Sequence, residues 1–565
     1  MLPLPSCAKR GRLREYQSTA GTLAAVTTAE AAVETLLRHG IDTVFGLPGL
    51  HNDPLFDALY GARDRLRVIH TRHEQGAAYM ALGAALITGR PQVCALVPGP
   101  GLLNAGAALL TALGTNAPVV ALVGQIPHDA IDRGLGYLHE IRDQPGLARH
   151  FVKFVARITS CADAPTAIAD AFRHARSGRP GPVVVECAMD TWATSGAVSF
   201  PPMPLPIVMP HIDEASVARA AAVLDRSARP LIVVGGGAQG AAAEVTALAE
   251  ALEAPVVAYR RGQGIVPPSH RLHVNLPTAH RLWRDADCVL GIGTRLFIQQ
   301  TQWGLDDRLD VVRIDIDPDE PSRWRTPAAV IIGDAAPATD TLLNALPRRT
   351  RPSRGAEISR HRDAVAAQLA LLEPQVSYLK AIRAALPDAG IFVDDVSQIG
   401  FASRLAYPVL EPNTYLSPGY QDTLGWGFGA ALGAKAARPN LPVVAIEGDG
   451  GMLFQSGELA TAVQHRLGVV AVVFDNGQFG NVRLQQDRHY GGHRIAADLV
   501  NPDFVRLAAA YGVDAVRAET PDALEHALAA AVARALEHQR PALIHVPCPV
   551  MPSPWEMILM PRVRG

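Results

Sequence analysis

Apolar residues in this chain follow two alternating patterns, short unbroken runs and longer stretches in which they recur every three or four positions. The segment 443–482, VVAIEGDGGMLFQSGELATAVQHRLGVVAVVFDNGQFGNV, shows both. Runs at 443–446 and 469–474 predict strands, and Leu459, Ala462 and Val463 predict a helix between them. Strand, helix, strand makes a βαβ unit, whose parallel strands end on the same side of a sheet. Asp449 and Asn476 should then face each other across a crevice at the carboxyl edge.

The same alternation divides the whole chain. From residue 24 the pattern predicts a helix that Thr27 or Thr28 can cap and Gly40 can stop, then a strand ending in Gly46-Leu47-Pro48-Gly49. Further strands are predicted at 67–70, 93–97, 119–123 and 183–187, which makes 24–190 one unit. A Pro-rich segment, 200–210, reads as a linker. A second unit spans 205–346, with strands at 231–234, 256–257, 288–292 and 311–316, and 348–359 reads as a polar break. The third unit runs from 376 to 550, and the tail 551–565 has no predicted place. The fold class expected is α/β, three doubly wound parallel-sheet domains.

At 565 residues the chain is too long for a single core. Hydrophobic residues at 48% and charged ones at 19% give a soluble globular composition with ample material for buried sheets. A formal charge of −2 leaves no basic field for nucleic acid or an anionic membrane, so neither is an expected partner. Six cysteines without a C-x-x-C pair point to reduced thiols and a cytoplasmic location. Residues 1–23 carry Lys9, Arg10, Arg12 and Arg14 with no apolar core behind them, and are read as an N-terminal extension.

The candidate chemistry starts at Gly448-Asp449-Gly450. Glycines on either side of the aspartate let a bulky anion approach the backbone N–H groups at a helix start, which suits a diphosphate. Asp449 and Asn476 offer hard oxygen ligands of the kind Mg²⁺ takes into an octahedron with phosphate oxygens and water. An ordinary βαβ unit with a turn aspartate would show the same Gly-Asp-Gly; the asparagine closing the next strand, 27 positions on, adds the specificity. This combination resembles the thiamine diphosphate signature of the acetolactate synthase and pyruvate decarboxylase superfamily. The resemblance covers about residues 24–550.

The resemblance implies several roles. The backbone carbonyl of Gln478 would be the third protein ligand to the metal, and Gly448, Gly450, Gly451, Gln478, Phe479 and Gly480 would bind cofactor with Asp449 and Asn476. Thiamine chemistry needs a carboxyl group that shares a proton with the aminopyrimidine ring. Arg72-His73-Glu74-Gln75-Gly76-Ala77 resembles the family's R-H-E-x-x-A pattern and makes Glu74 that carboxyl; a solvated glutamate at a helix start is the plain alternative. Pro48 and Gly49, with Pro98-Gly99-Pro100-Gly101, would line the reacting carbon, and Gln125 would contact substrate or cofactor. Leu424 aligns with the apolar residue that props the cofactor rings into a bent shape. Glu74 and Asp449 lie 375 residues apart, in domains that in this family come from different subunits, so a homodimer or homotetramer is expected.

Other motifs narrow the reading. Residues 235–240 fit G-x-G-x-x-G, but Tyr259-Arg260-Arg261 stands where a dinucleotide site needs an acid. Some family members hold FAD in this domain; their FAD-contacting stretch is not evident at 273–277, so FAD is possible but not favoured. Asp315-x-Asp317-x-Asp319 lacks the glycine of a calcium loop, and His70-x-x-His73-Glu74 is not a zinc-hydrolase motif. Leu50 follows Gly49, and His51, His139, Gln398, Trp426, Gln478 and Phe479 are candidate pocket groups that could equally be structural. The expected activity is decarboxylation of a 2-oxo acid and carboligation. A hydroxyketone or 1,2-dione lyase or hydrolase is the alternative chemistry, and a non-catalytic regulatory paralogue the alternative of another class.

Overall fold

The computed structural model describes residues 25–565; the expected N-terminal extension and Cys7 lie outside them. Three six-stranded sheets carry the chain, each parallel throughout. Their strands are nearly continuous in Val, Ile, Leu and Ala, as they must be when both faces are covered. In spatial order the first sheet runs Arg67–His70, Thr43–Gly46, Gln92–Leu96, Val119–Gln125, Val183–Ala188, Phe154–Ile158. The third repeats that topology with Tyr415–Leu416, Ile391–Asp394, Val443–Gly448, Val469–Asp475, Ala542–Pro547 and Asp514–Arg517. The central sheet has the dinucleotide-fold order: His273–Val274, Val256–Ala258, Pro230–Val234, Cys288–Ile292, Asp310–Asp315, Ala329–Ile332.

These orders place a topological switch point in every sheet, where neighbouring strands send their connections to opposite faces and leave a crevice. It lies after Gly46 and Leu96 in the first sheet, after Val234 and Ile292 in the central one, and after Asp394 and Gly448 in the third.

The helices Glu74–Thr88 and Gly427–Ala437 join the first and third domains. Both are built of Gly, Ala and other apolar residues without a polar stripe, so each is buried all round. They cross at Gly83 and Gly433, where a Cβ would collide with the Ala430 and Met80 carbonyl oxygens respectively. The first and third domains consequently share one core, with Phe45 and Val123 in the same cluster as Val393 and Val473. A second core joins the central and third sheets through Ile232, Leu290, Phe392 and Val472.

Four local expectations are revised. Between 443–446 and 469–474 the chain forms two helices, Asp449–Gln455 and Glu458–Gln464, because Ser456-Gly457 interrupts the run. The first unit does not close at 190: Ser195–Gly196 pairs antiparallel with Val26–Thr27, beside the capping box of Thr27 and Glu30. The polar segment 348–359 is only partly a break, since a helix, Gly355–Leu369, begins within it. Its Arg351 donates to the carbonyls of Leu224 (2.9 Å) and Ser227 (2.6 Å), at the end of the helix Glu214–Arg226. The tail has a definite place: Arg564 is buried, donates to the Trp283 carbonyl (2.6 Å) and pairs with Asp306 (2.7 Å), while Trp555 packs on Phe401. Among the described residues no helix is long and apolar enough to cross a membrane.

Candidate active site

A cleft of about 170 Å³ opens at the switch point of the third sheet. Leu424, Gly448, Asp449, Gly450 and Gly451 line it on one side, and Asn476, Gln478, Phe479 and Gly480 on the other. The strand register explains the meeting. Gly448 pairs with Phe474, so the residues just after each strand end emerge side by side. The helix Asp449–Gln455 starts without a side-chain cap, which leaves its first N–H groups to the cleft. A Cβ at Gly450 would collide with the Phe479 ring, and one at Gly451 with the Asp395 carboxylate, so the loop is as tight as a glycine backbone permits.

Asp449 is 4% exposed. Burial raises its pKa, and the charge that weighs on it is that of Asp475 rather than of a cation. Asn501 was not foreseen in the sequence, yet its amide bridges the two carboxylates, donating at 2.8 Å to Asp449 Oδ2 and at 2.8 Å to Asp475 Oδ1. Asp475 also takes the Gly477 N–H (3.1 Å) and a bond from His545 Nε2 (3.0 Å), and its pKa is lowered, chiefly by His545. The Gln478 strand-end loop is braced by a second segment: Phe479 N–H donates to Ala497 O (2.8 Å) and Leu499 N–H to Gly477 O (2.7 Å). Gln398 lines the cleft with its Oε1 unpartnered. A buried carboxylate whose charged neighbour is a second carboxylate, beside an asparagine amide at the next strand end, fits a hard divalent ion, and the glycine loop fits a diphosphate.

Most of the other predicted residues lie along the carboxyl edge of the first sheet. Glu74 opens its helix and is buried there, with Asn104 Nδ2 donating to its Oε2 at 3.0 Å. Val97 packs between Gly49 and Gly101, and a Cβ on Gly101 would come within 3.4 Å of Glu74 Oε1, so the Pro48-Gly49 turn and Glu74 share one edge. Gln125 is buried and folded back: its Oε1 accepts the Ile126 N–H (2.8 Å) and its Nε2 faces Glu186 (3.5 Å). Gln144 completes that network, donating to Glu186 (3.0 Å) and accepting the Gly99 N–H (3.0 Å). His51 and His139 stack with ring centroids 5.0 Å apart, and His51 Nε2 bonds the Leu138 carbonyl (3.0 Å). Trp426 belongs to the core, with its Nε1 donating to Asp394 O (2.7 Å).

In a single chain the predicted residues therefore fall into two separate groups. The third-domain cleft is walled by that domain and by Met551 of the tail; Glu74, Gln125, Pro48 and Gly49 are not among its walls. Asp475 had a visible signal, standing just before Asn476, whereas Asn501 and Met551 reach the site only through tertiary packing.

The central sheet has a larger crevice, about 730 Å³, at its own switch point. Gly235, Gly237 and Gly293 approach so closely that a Cβ on any of them would strike neighbouring backbone, and Arg179, Arg260, Arg261 and Arg295 stand around the opening.

Comparison with known proteins matches three models along the chain. The N-terminal thiamine pyrophosphate (TPP)-binding domain of thiamine pyrophosphate enzymes matches residues 26–147, their central domain 217–344 and their C-terminal TPP-binding domain 395–546. The chain belongs to the thiamine pyrophosphate enzyme family. It is similar to the probable 2-ketoarginine decarboxylase of Pseudomonas aeruginosa, 32% identical over 521 residues that cover 89% of this chain and 92% of the relative. The probable acetolactate synthase large subunit of Methanocaldococcus jannaschii is 32% identical, with 89% of each chain covered. The acetolactate synthase isozyme 1 large subunit of Escherichia coli is 30% identical, with 94% of this chain and 95% of the relative covered. This is an acetolactate synthase-like member of the thiamine diphosphate enzymes.

Proposed function

We propose that this enzyme uses thiamine diphosphate and Mg²⁺ to decarboxylate a 2-oxo acid and to join the remaining unit to an acceptor carbonyl. The observation that carries the reading is the third-domain cleft, where Asn476 and the tight glycine loop converge on the buried Asp449 carboxylate, whose charged neighbour is another carboxylate, Asp475. Asp449, the Asn476 amide oxygen and the Gln478 carbonyl hold the ion. The N–H groups of the Gly448–Gly451 turn, with Phe479 and Gly480, hold the diphosphate. Leu424, which lines the cleft, would pack against the cofactor's rings. Glu74 is the carboxyl that shares a proton with the aminopyrimidine nitrogen, and Pro48, Gly49 and Gln125 line the substrate side. When bound, the cofactor would supply a carbon nucleophile and an electron sink for the pair left behind by CO₂.

The half-sites of one chain are separate, so each is completed by a partner chain, and a homodimer or homotetramer is the working unit. Leu50 stands 49% exposed beside Gly49, which favours a short aliphatic donor over one needing a polar anchor. The named decarboxylase and synthases among the relatives support 2-oxo acid chemistry over the dione alternative, and the complete residue set argues against a non-catalytic paralogue. The thiols of Cys94, Cys161, Cys187, Cys288 and Cys548 are free, in keeping with a cytoplasmic location. Holo-protein incubated with a panel of 2-oxo acids, hydroxyketones and diones, with CO₂ and products read by mass spectrometry, tests the reaction. Turnover of diones alone would overturn it.

A second reading concerns only the central domain. Its crevice has the volume and the arginine rim for a phosphorylated nucleotide such as FAD, although the sequence does not favour FAD. An absorbance spectrum of the denatured supernatant decides between an occupied site and a structural spacer.

A further inference from the structure

We infer that Glu458 is a positioning residue, which clamps the Arg72–Glu74 turn of its own chain and so fixes the carboxyl that shares the cofactor proton. The inference rests on the role proposed for Glu74. Glu458 opens the helix Glu458–Gln464 and is 2% exposed. Its Oε1 accepts the N–H of Arg72 at 3.1 Å and of His73 at 3.0 Å; its Oε2 accepts Arg72 N–H at 3.2 Å and the Thr461 hydroxyl at 2.6 Å. The turn between the strand Arg67–His70 and the helix Glu74–Thr88 thus takes the acceptor for two of its donors from another domain.

Nearby contacts confirm that the approach is tight. A Cβ on Gly76 would collide with the Glu458 carboxylate, which accounts for a glycine two residues into the Glu74 helix. Gln455 Nε2 donates to Gln75 Oε1 (3.3 Å) and Arg72 donates to Gln464 (2.8 Å), so both halves of the broken helix pair grip the same turn. Asp449 begins the first of those helices and Glu458 the second. If Glu74 and Asp449 of one chain serve different active centres, the helix pair that starts at one centre's metal residue also reaches, through Glu458, the Arg72-His73 backbone just ahead of the other centre's Glu74. The Ser456-Gly457 break acquires a purpose in this arrangement, because a continuous helix would not start a fresh turn at Glu458.

The test uses the full-length protein with Mg²⁺ and thiamine diphosphate. In the cofactor-free protein, amide hydrogen exchange of a peptide spanning 70–76 should be protected in the wild type and lose that protection in Glu458→Ala. With cofactor bound, deuterium exchange at the thiazolium carbon should slow about ten-fold or more in Glu458→Ala, the effect of losing charged hydrogen bonds, while cofactor affinity changes less than about three-fold. Glu458→Gln keeps the volume and one acceptor oxygen, and should lie between; it serves if the alanine variant does not fold. The double variant with Glu74→Gln should be no slower than Glu74→Gln alone, since one residue acts through the other. Wild-type exchange in both Glu458 variants, with Glu74→Gln slow, overturns this inference and leaves the proposed function standing. Additive slowing in the double variant also overturns it. Wild-type exchange in Glu74→Gln overturns the role of Glu74 itself.

Discussion

A carboxylate as buried as Asp449, with Asp475 beside it, is at ease only when it holds a proton or faces a cation. This gives Asp449→Asn opposite effects on two measurements. Without ligands the variant should be at least as stable to urea as the wild type, because a like-charge contact is removed. Its affinity for the cofactor with Mg²⁺ should fall about a hundred-fold or more, read by calorimetric titration, since even a residue behind a metal ligand is worth about ten- to a hundred-fold. Unchanged affinity would remove the metal assignment. Glu74→Gln should instead lose only about 1–3 kcal/mol of cofactor affinity. Exchange at the thiazolium carbon should slow by about two to four orders of magnitude, as expected for acid–base work. Single residues were unevenly legible in the sequence. Asp449 and Asn476 stand at strand ends that apolar runs announce, whereas Asn501, which bridges Asp449 and Asp475, lies in a loop whose own sequence gives no periodic signal.

The crossing of the helices Glu74–Thr88 and Gly427–Ala437 shows how glycines can act at the scale of an element. In an isolated helix, replacing glycine by alanine gains about 0.5–1 kcal/mol. At Gly83 or Gly433 the new Cβ would meet a carbonyl oxygen of the facing helix, and backbone cannot rotate away as a side chain can. Overpacking of this kind costs about 1–3 kcal/mol or more and outweighs the propensity gain. Gly83→Ala and Gly433→Ala should therefore each lower the urea midpoint, and a rise at either would show that the two helices do not touch as described. The Gly- and Ala-rich composition of both helices was visible in the sequence; that they pack on each other was not, because small residues mark a close approach without naming the partner. The break at Ser456-Gly457 escaped for a related reason, as the apolar spacing across it remains helical.

At the scale of the molecule, the third domain shares a core with each of the other two, so the interface chemistry bears on overall stability. His465 lies where the first and third domains meet, and its Nε2 accepts the His70 backbone N–H (3.2 Å). Burial, reinforced by His70, lowers its pKa to about 4 from the ordinary 6.5. Between those values the unfolded chain binds more protons than the folded one, so stability is held above pH 6.5 and lost as pH falls toward 4. His465→Gln cannot titrate, and its urea midpoint should fall less steeply from pH 7 to 5 than that of the wild type. Equal slopes would assign the acid sensitivity elsewhere. The three-sheet plan was legible because the inner strands, such as Val119–Gln125, Pro230–Val234 and Val469–Asp475, are nearly unbroken apolar runs, whereas edge strands such as Phe154–Ile158 and Asp514–Arg517 carry charged residues and gave no such signal. The expectation that Glu74 and Asp449 of one chain serve different active centres came only from the family resemblance; among the described residues, none of the first domain lines the third-domain cleft.

Whether Glu74 and Asp449 of different chains build one active centre can be decided by mixing two defective variants, Glu74→Gln and Asp449→Ala, denatured and refolded together at equal amounts. Each alone should show almost no deuterium exchange at the thiazolium carbon of added cofactor. If chains pair so that Glu74 of one serves Asp449 of the other, every hybrid dimer regains one intact site, and with half of all dimers hybrid about a quarter of the sites are restored. Exchange at about that fraction of the wild-type rate is expected. Mixtures no more active than the separate variants would contradict it.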